Sequence, residues 1–291
     1  MIKKLDDIVE IAKSKGKRKI VVAGAEGKEI FEAFKMASEF AKGVFVGNQD
    51  VIEKTIDEIG IDDYEIVDSK NPLYDAVKIV SEGKAEVIMK GKVQTADFLR
   101  MILDKQFNLR TGRKLSHITV MEIPTYHKLL FITDAGMNIR PDFEFKVDIL
   151  KNALDVMRKL GYEEIKVALV SAIEMIHPDM PETFDFSVLC KMADRGVFGK
   201  VVIDGPLGFD IAISKKAAER KKIKSPVSGE VDLIMVPDIA SGNIMAKALA
   251  FLGGAKIGGM IAGAKIPIVL LSRADEPEWK FYSLAFTLAV A

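Results

Sequence analysis

KIVVAGAEGKEIFEAFKMASEF, residues 19–40, decides how this chain is read. It passes from a β-branched run, Lys19–Gly24, into an amphipathic stretch from about Lys28 to Phe40. That is a strand followed by a helix. The succession recurs as GVFVGN (43–48) before Gln49–Ile59, YEIVD (64–68) before Pro72–Ser81, and AEVIMKG (85–91) before Thr95–Asp104. Repeated strand–helix pairs make βαβ units, so the fold class is α/β with a parallel sheet covered on both faces.

Further along, HITVMEIP (117–124) and KLLFITD (128–134) sit at hairpin spacing and predict an antiparallel excursion. Alternation then resumes. Helix Phe143–Leu160 precedes strand 166–172, a helix at about Phe186–Arg195 precedes strand 200–204, and a helix at about Asp210–Lys222 precedes strand 231–238. A helix at about Gly242–Phe251, strands 258–264 and 267–273, and a terminal helix from about Pro277 close the chain.

The chain has 291 residues, which at about 150 per domain predicts two domains. Forty-two basic and 42 acidic residues cancel, so nothing supplies the basic excess needed to coat nucleic acid or an anionic membrane. One cysteine, Cys190, excludes an intrachain disulfide, and three histidines disfavour a Cys/His zinc site. The N-terminus is charged throughout and lacks a signal peptide's apolar core, and the apolar stretch Ala246–Leu271 is broken by three lysines. Both point to a cytoplasmic protein.

Ligands of parallel sheets collect beyond the carboxyl ends of the strands. Gly24, Lys90–Gly91, Asp134, Asp204–Gly205–Pro206, Pro237–Asp238 and Ser272–Arg273 each follow an apolar run, although Gly, Pro and Asp also serve as ordinary turn residues. There is no Walker A loop, Rossmann fingerprint, nucleophile elbow or HExxH motif. What remains are hydroxyls, arginines and helix-start N–H groups, which hold phosphate. In KGKVQTADFLR (90–100), Thr95 is either a helix cap or part of an anion seat with Lys90, Lys92 and Arg100. FNLRTGRKLSH (107–117) gathers Arg110, Arg113 and Lys114 around a glycine turn, as a solvated loop or an anion clamp. In IPIVLLSRADEP (266–277), Ser272 followed by Asp275 and Pro277 is equally a helix start and a chemical site. The run KKAAERKKIK (215–224) reads as a solvated helix face. His127 and His177 are acid–base candidates, His117 reads as structural, and Cys190 reads as a core thiol.

DGPLGFDIA (204–212), PDIASGNIMAK (237–247) and Ser272–Arg273, in that order, resemble the phosphate acyltransferases. KVQTADFLR, LRTGRKLSH, YHKLLFITDAGMNI and LLSRAD resemble the butyryltransferase branch. The resemblance implies acyl-CoA + phosphate ⇌ acyl phosphate + CoA, with CoA a substrate and no metal or other cofactor. It implies two α/β domains flanking a cleft, as in isocitrate and isopropylmalate dehydrogenases, and places them at 1–133 plus 268–291 and at 134–267. It gives Arg273 the phosphate and Ser272 a transition-state hydrogen bond. Arg100 becomes a second anion ligand and Asn243 positions CoA or phosphate. Lys90, Thr95, Arg110, Arg113 and Asp238 join the expected phosphate- and CoA-binding set on the strand-end, helix-start and charge readings above, not on the resemblance. A homo-oligomer working beside an acyl kinase is implied too. The acidic residue that the acetyltransferase branch carries seven positions after the serine is Trp279 here, which leaves the thiol proton unassigned. A metal-dependent dehydrogenase of the shared fold would need an acidic metal cluster, which the sequence does not offer. A non-catalytic CoA- or acyl-phosphate-binding protein draws support from Trp279, and acetyl is the alternative acyl group.

Overall fold

The computed structural model describes residues 2–270 and 276–291. Two compact units divide the chain. The first comprises Leu5–Leu115 with Ile257–Ala291, and the second Met1–Lys4 with Ser116–Lys256.

In chain order the elements are α1 (Leu5–Ser14), β1 (Arg18–Ala23), α2 (Lys28–Met36), β2 (Ala41–Gly47), α3 (Gln49–Ile59), β3 (Tyr64–Asp68), α4 (Pro72–Ser81), β4 (Val87–Lys90) and α5 (Thr95–Ile102). The second unit contributes β5 (Ser116–Glu122), β6 (Leu130–Thr133), α6 (Phe143–Lys159), β7 (Ile165–Val170), α7 (Pro181–Asp194) and β8 (Val201–Leu207). It continues with α8 (Phe209–Ile213), α9 (Lys215–Lys221), β9 (Leu233–Met235) and α10 (Ile239–Phe251). The chain returns through β10 (Lys256–Ala262), β11 (Ile268–Val269) and α11 (Pro277–Val290).

In the first unit the strands lie in the order β3-β2-β1-β4-β11-β10. All pairs are parallel except β10 with β11. Val21 faces Ile88 and Ala23 faces Lys90, so β1 and β4 end at the same edge. Ile20–Ala23 and Val87–Met89 are fully buried, as expected of strands covered on both faces. Phe31 and Phe34 of α2 close on Phe45 of β2, with ring centroids 4.7 and 5.1 Å away. Local chemistry sets the helix starts. Asn48 caps α3 by accepting from the Val51 N–H, and Asn71 caps α4 ahead of Pro72.

In the second unit the order is β5-β6-β9-β7-β8, antiparallel between β5 and β6 and parallel elsewhere. The expected hairpin is present, with Ile118 facing Thr133. The helix expected over 210–222 is two, α8 and α9, because the Ser214 hydroxyl accepts from the Ala217 N–H and restarts the helix. Helix α2 ends at Met36 rather than Phe40. Helix α7 starts at Pro181 rather than Phe186, its polar first turn having hidden it from the apolar periodicity. The N-terminal helix α1 was not expected. Its Leu5, Ile8, Val9 and Ala12 form a buried stripe against α11.

The two compact units meet at 115/116 and 256/257, while the expected domain boundaries are 133/134 and 267/268. Strand pairing accounts for where the units meet. Hairpin strand β6 continues in parallel into β9, and β10 takes β11 as its antiparallel partner.

Where β1 and β4 end, their loops interlock through backbone. Gly91 N–H donates to Ala23 O (3.0 Å), and Gly24 O accepts from Lys92 N (2.7 Å) and Glu26 N (2.9 Å). A Cβ at Gly91 would lie 2.0 Å from Gly24 O, so only glycine fits. Gly91→Ala is therefore expected to cost about 3 kcal/mol or more, the upper end of overpacking, measured by denaturant unfolding; a cost under about 1 kcal/mol would contradict the interlock.

Candidate active site

Beyond this interlock lies a cavity of about 430 Å³ lined by Glu26, Gly27, Glu29, Lys90, Lys92 and Lys280, among others. Gly27 precedes α2 with φ +105° and gives the helix start no side-chain cap. Lys92 pairs with Glu26 at 2.8 Å. Lys90 donates to Gly91 O (3.1 Å) and Val93 O (3.2 Å), so its ammonium also braces the loop. Lys280, on the first turns of α11, is only 3% exposed. A buried ammonium beside a cavity is costly unless opposite charge or hydrogen bonds compensate it. Lys280 has no place among the sequence expectations; it opens a helix whose residues from Tyr282 to Val290 are all buried.

Among the described residues, Thr95, Arg100, Arg110 and Arg113 are not in the lining of that cavity. Thr95 is the first residue of α5 and exposed, and Gln94 holds the cap position, so the capping reading of Thr95 falls. Arg100 stands in the last turn of α5 and pairs with Asp97 at 2.9 Å. It is 77% exposed, and such a surface pair contributes little. Arg110 donates through Nε to Leu103 O and forms a β-bridge with Ala264. Thr111 Oγ1 donates to Gly263 O (2.5 Å) and Lys265 Nζ to Asn108 Oδ1 (3.0 Å). The loop carrying Arg110 and half-buried Arg113 is thus tied to the segment after β10. Ser272 and Arg273, with Asp275, lie outside the described residues. Trp279 is half-buried on α11.

The second unit holds Asp238 and Asn243 at the start of α10. Asp238 caps this helix, accepting from Ser241 N (2.8 Å) and Ser241 Oγ (2.7 Å). Burial pushes its carboxyl up, but the Ser241 N–H and hydroxyl, Arg140 and the Ala240 N–H outweigh that and hold it below the usual aspartate range. Arg140, an exposed cation beside this cap, was missed by the sequence reading. Asn243 Nδ2 donates to Ala135 O at 3.3 Å, on the loop after β6. Gly242 lets α10 approach that loop, since a Cβ there would stand 2.8 Å from Ala135 Cα.

The histidines are spread out. His117 packs in β5 with Nδ1 3.3 Å from Thr119 Oγ1. His127 is 3.6 Å from Glu230, and His177 Nδ1 accepts from Asp179 N. The run 215–224 is mostly exposed, with Lys221 paired to Glu174 and Asp210. Cys190 donates to Gly205 O, and burial, followed by the charges of Asp204 and Asp194, pushes its thiol up to about 12. Among the described residues no three His, Cys, Asp or Glu side chains gather as a metal site requires. No helix there is long and apolar enough to cross a membrane.

The family described as Phosphate acetyl/butaryl transferase matches residues 65–288. A phosphate butyryltransferase from Clostridium acetobutylicum is 41% identical, spanning 100% of this chain and 99% of its own length. A phosphate acetyltransferase from Thermotoga maritima is 40% identical over 99% of both chains. Among solved structures, a branched-chain phosphotransacylase from Enterococcus faecalis superimposes with a TM-score of 0.84 at 31% identity, covering 94% of this chain and 98% of that one.

Two outcomes follow from the side-chain environments. Asp238→Ala should cost about 1 kcal/mol as a lost cap, while Asp238→Asn keeps the cap at pH 7. Because the folded carboxyl lies below its unfolded value, its ionic share of stability is present above the unfolded value near pH 4 and vanishes as pH falls through the folded value. Unfolding of the Asn variant should lack that acid-range component. Cys190, held as a thiol, should react with iodoacetamide at pH 8 at least about tenfold more slowly in the native protein than in denaturant.

Proposed function

The chain belongs to the phosphate acetyl/butyryl transferase family, and we propose that it moves a short-chain acyl group, butyryl or branched, between CoA and inorganic phosphate. The observation that carries this is similarity over essentially the whole chain rather than over one motif. The chemistry suits the side chains available. A hydrogen phosphate oxygen attacks the thioester carbonyl carbon, a tetrahedral oxyanion forms, and the C–S bond breaks; the proton that hydrogen phosphate brought ends on the departing thiolate, so CoA leaves as its thiol. Both reactants are anionic, so catalysis consists of bringing them together and stabilising the oxyanion.

In this reading Arg273 holds phosphate and Ser272 donates a hydrogen bond to the developing charge. Arg100, Thr95, Lys90, Arg110, Arg113, Asp238 and Asn243 supply binding and orientation. Lys90, on the lysine-lined cavity at the β1 and β4 ends, supports this assignment. Asp238 serves through the α10 cap it makes, and Asn243 through its place beside the loop after β6. No metal or resident cofactor takes part in the proposed reaction.

The acyl group is proposed as four-carbon or branched, on the butyryltransferase-like motifs and the branched-chain phosphotransacylase structure. Acetyl is the second reading, favoured by the acetyltransferase relative at 40% identity. We also propose a cytoplasmic homo-oligomer acting beside an acyl kinase. The apolar helix α10 supports the oligomer: only Gly242 and Ala250 of it are buried, while Ile244 and Phe251 are 69% and 63% exposed.

Thiol release from butyryl-, isobutyryl- and acetyl-CoA, with and without phosphate, tests the proposal. Phosphate-dependent release should be fastest with the four-carbon substrates and unaffected by EDTA. Ser272→Ala should lower kcat by about 10²–10³, as for loss of a transition-state donor, and Arg273→Ala, which removes the phosphate ligand, should abolish phosphate-dependent release. Fastest release from acetyl-CoA would overturn the acyl preference, and no phosphate-dependent release would overturn the reaction.

A further inference from the structure

Asp134 is the most heavily hydrogen-bonded carboxylate on the second unit's strand-end edge, and neither the motifs nor the proposed chemistry gave it a role. It follows β6 directly and is 3% exposed. Its Oδ1 accepts from the backbone N–H groups of Gly136 and Met137, both at 2.9 Å. Its Oδ2 accepts from His117 N at 3.1 Å and from Asn138 Nδ2 at 2.5 Å. The carboxylate therefore ties β5 to β6 and folds the following loop back over itself. Ala135 is the next residue, and its carbonyl is the acceptor for Asn243 Nδ2. Gly242 lets the helix carrying Asn243 rest on this loop, with Asp134 O 3.0 Å from where a Cβ would stand. Exposed Asn243 thus has its amide orientation set by a carbonyl whose own position depends on Asp134.

We propose that Asp134 is a positioning residue for the acyl-transfer reaction, holding the 134–138 loop so that Ala135 O orients Asn243 toward substrate. This rests on the reading of the chain as a phosphate acyltransferase in which Asn243 contacts substrate. All four groups facing the carboxylate are donors, so the site needs two acceptor oxygens. Asparagine keeps the shape but replaces one oxygen with an NH₂ group, setting donor against donor on one pair. Small errors in a positioning shell are expensive because substrate geometry is what such an enzyme supplies.

The test compares Asp134→Asn, Asn243→Ala and the double variant in the full-length protein. Asp232→Asn serves as the stability control. Asp232 is also buried, but it binds Lys128 Nζ (2.7 Å) and Lys166 N (2.8 Å) where β7 and β9 begin, at the other ends of these strands. Asp134→Asn and Asn243→Ala should each lower kcat/KM for acyl-CoA at least tenfold, mainly through KM. The double variant should lose no more than the worse single one, since both break one linkage. Asp232→Asn should lower the melting temperature and leave kcat/KM within twofold. In parallel, the side-chain amide ¹⁵N–¹H pair of Asn243 should shift and broaden in Asp134→Asn and stay in place in Asp232→Asn. Multiplicative losses in the double variant, or an unchanged Asn243 amide signal in Asp134→Asn, would overturn the proposal. If the unaltered protein shows no phosphate-dependent thiol release, the reaction assignment is what fails, and the proposed linkage to substrate falls with it even where the amide signal shifts.

Discussion

A chain leaving the carboxyl edge of a parallel sheet must satisfy its backbone polar groups while turning sharply, and this constraint governs where chemistry can sit here. The two units meet it differently. The first relies on backbone hydrogen bonds, with Gly24 and Gly91 brought so close that no side chain fits between them, and on the Lys90 ammonium that braces the loop. The second uses one buried carboxylate, Asp134, whose oxygens gather backbone and side-chain donors. Each solution fixes a strand-end loop through several hydrogen bonds, which suits an enzyme whose work is to hold two substrates in register.

The consequences for charge are visible in the first unit. Lys90 reaches the strand-end cavity, yet it also braces the loop behind it. Lys280 arrives from α11, far along the chain, and is almost fully buried at the same cavity. A zero net charge therefore coexists with a local gathering of three lysines and two glutamates. A zero whole-chain charge supplies no basic excess for coating a polyanion, whereas recognition of one phosphorylated ligand is a local matter.

Legibility followed the range of the interactions. Helices α3 and α4 match their expected bounds because each start carries its own asparagine cap, and α4 adds a proline at its first position. The β5–β6 hairpin was legible because its strands lie next to each other in sequence. Helix α1 went unread although its apolar stripe was present, since the charged residues around it suggested only an absence of signal sequence. Thr95 was given a capping alternative on residue type, but the chain turns one residue earlier and Gln94 stands at the cap. The guanidinium groups of Arg100 and Arg110 suggest anion ligands by residue type, and the structure shows local partners for both.

The sequence by itself determined the order of strands and helices, the antiparallel excursion, most helix starts and the family, because periodicity, turn chemistry and ordered motifs all act over a few residues. Only the tertiary structure decided that β4 lies between β1 and β11, that Lys280 is buried at a cavity shared with Lys90, and that Asn243 leans on the loop organised by Asp134. Those pairings join residues distant in sequence. Their energies come from burial and hydrogen-bond satisfaction in the packed chain, which no local pattern encodes.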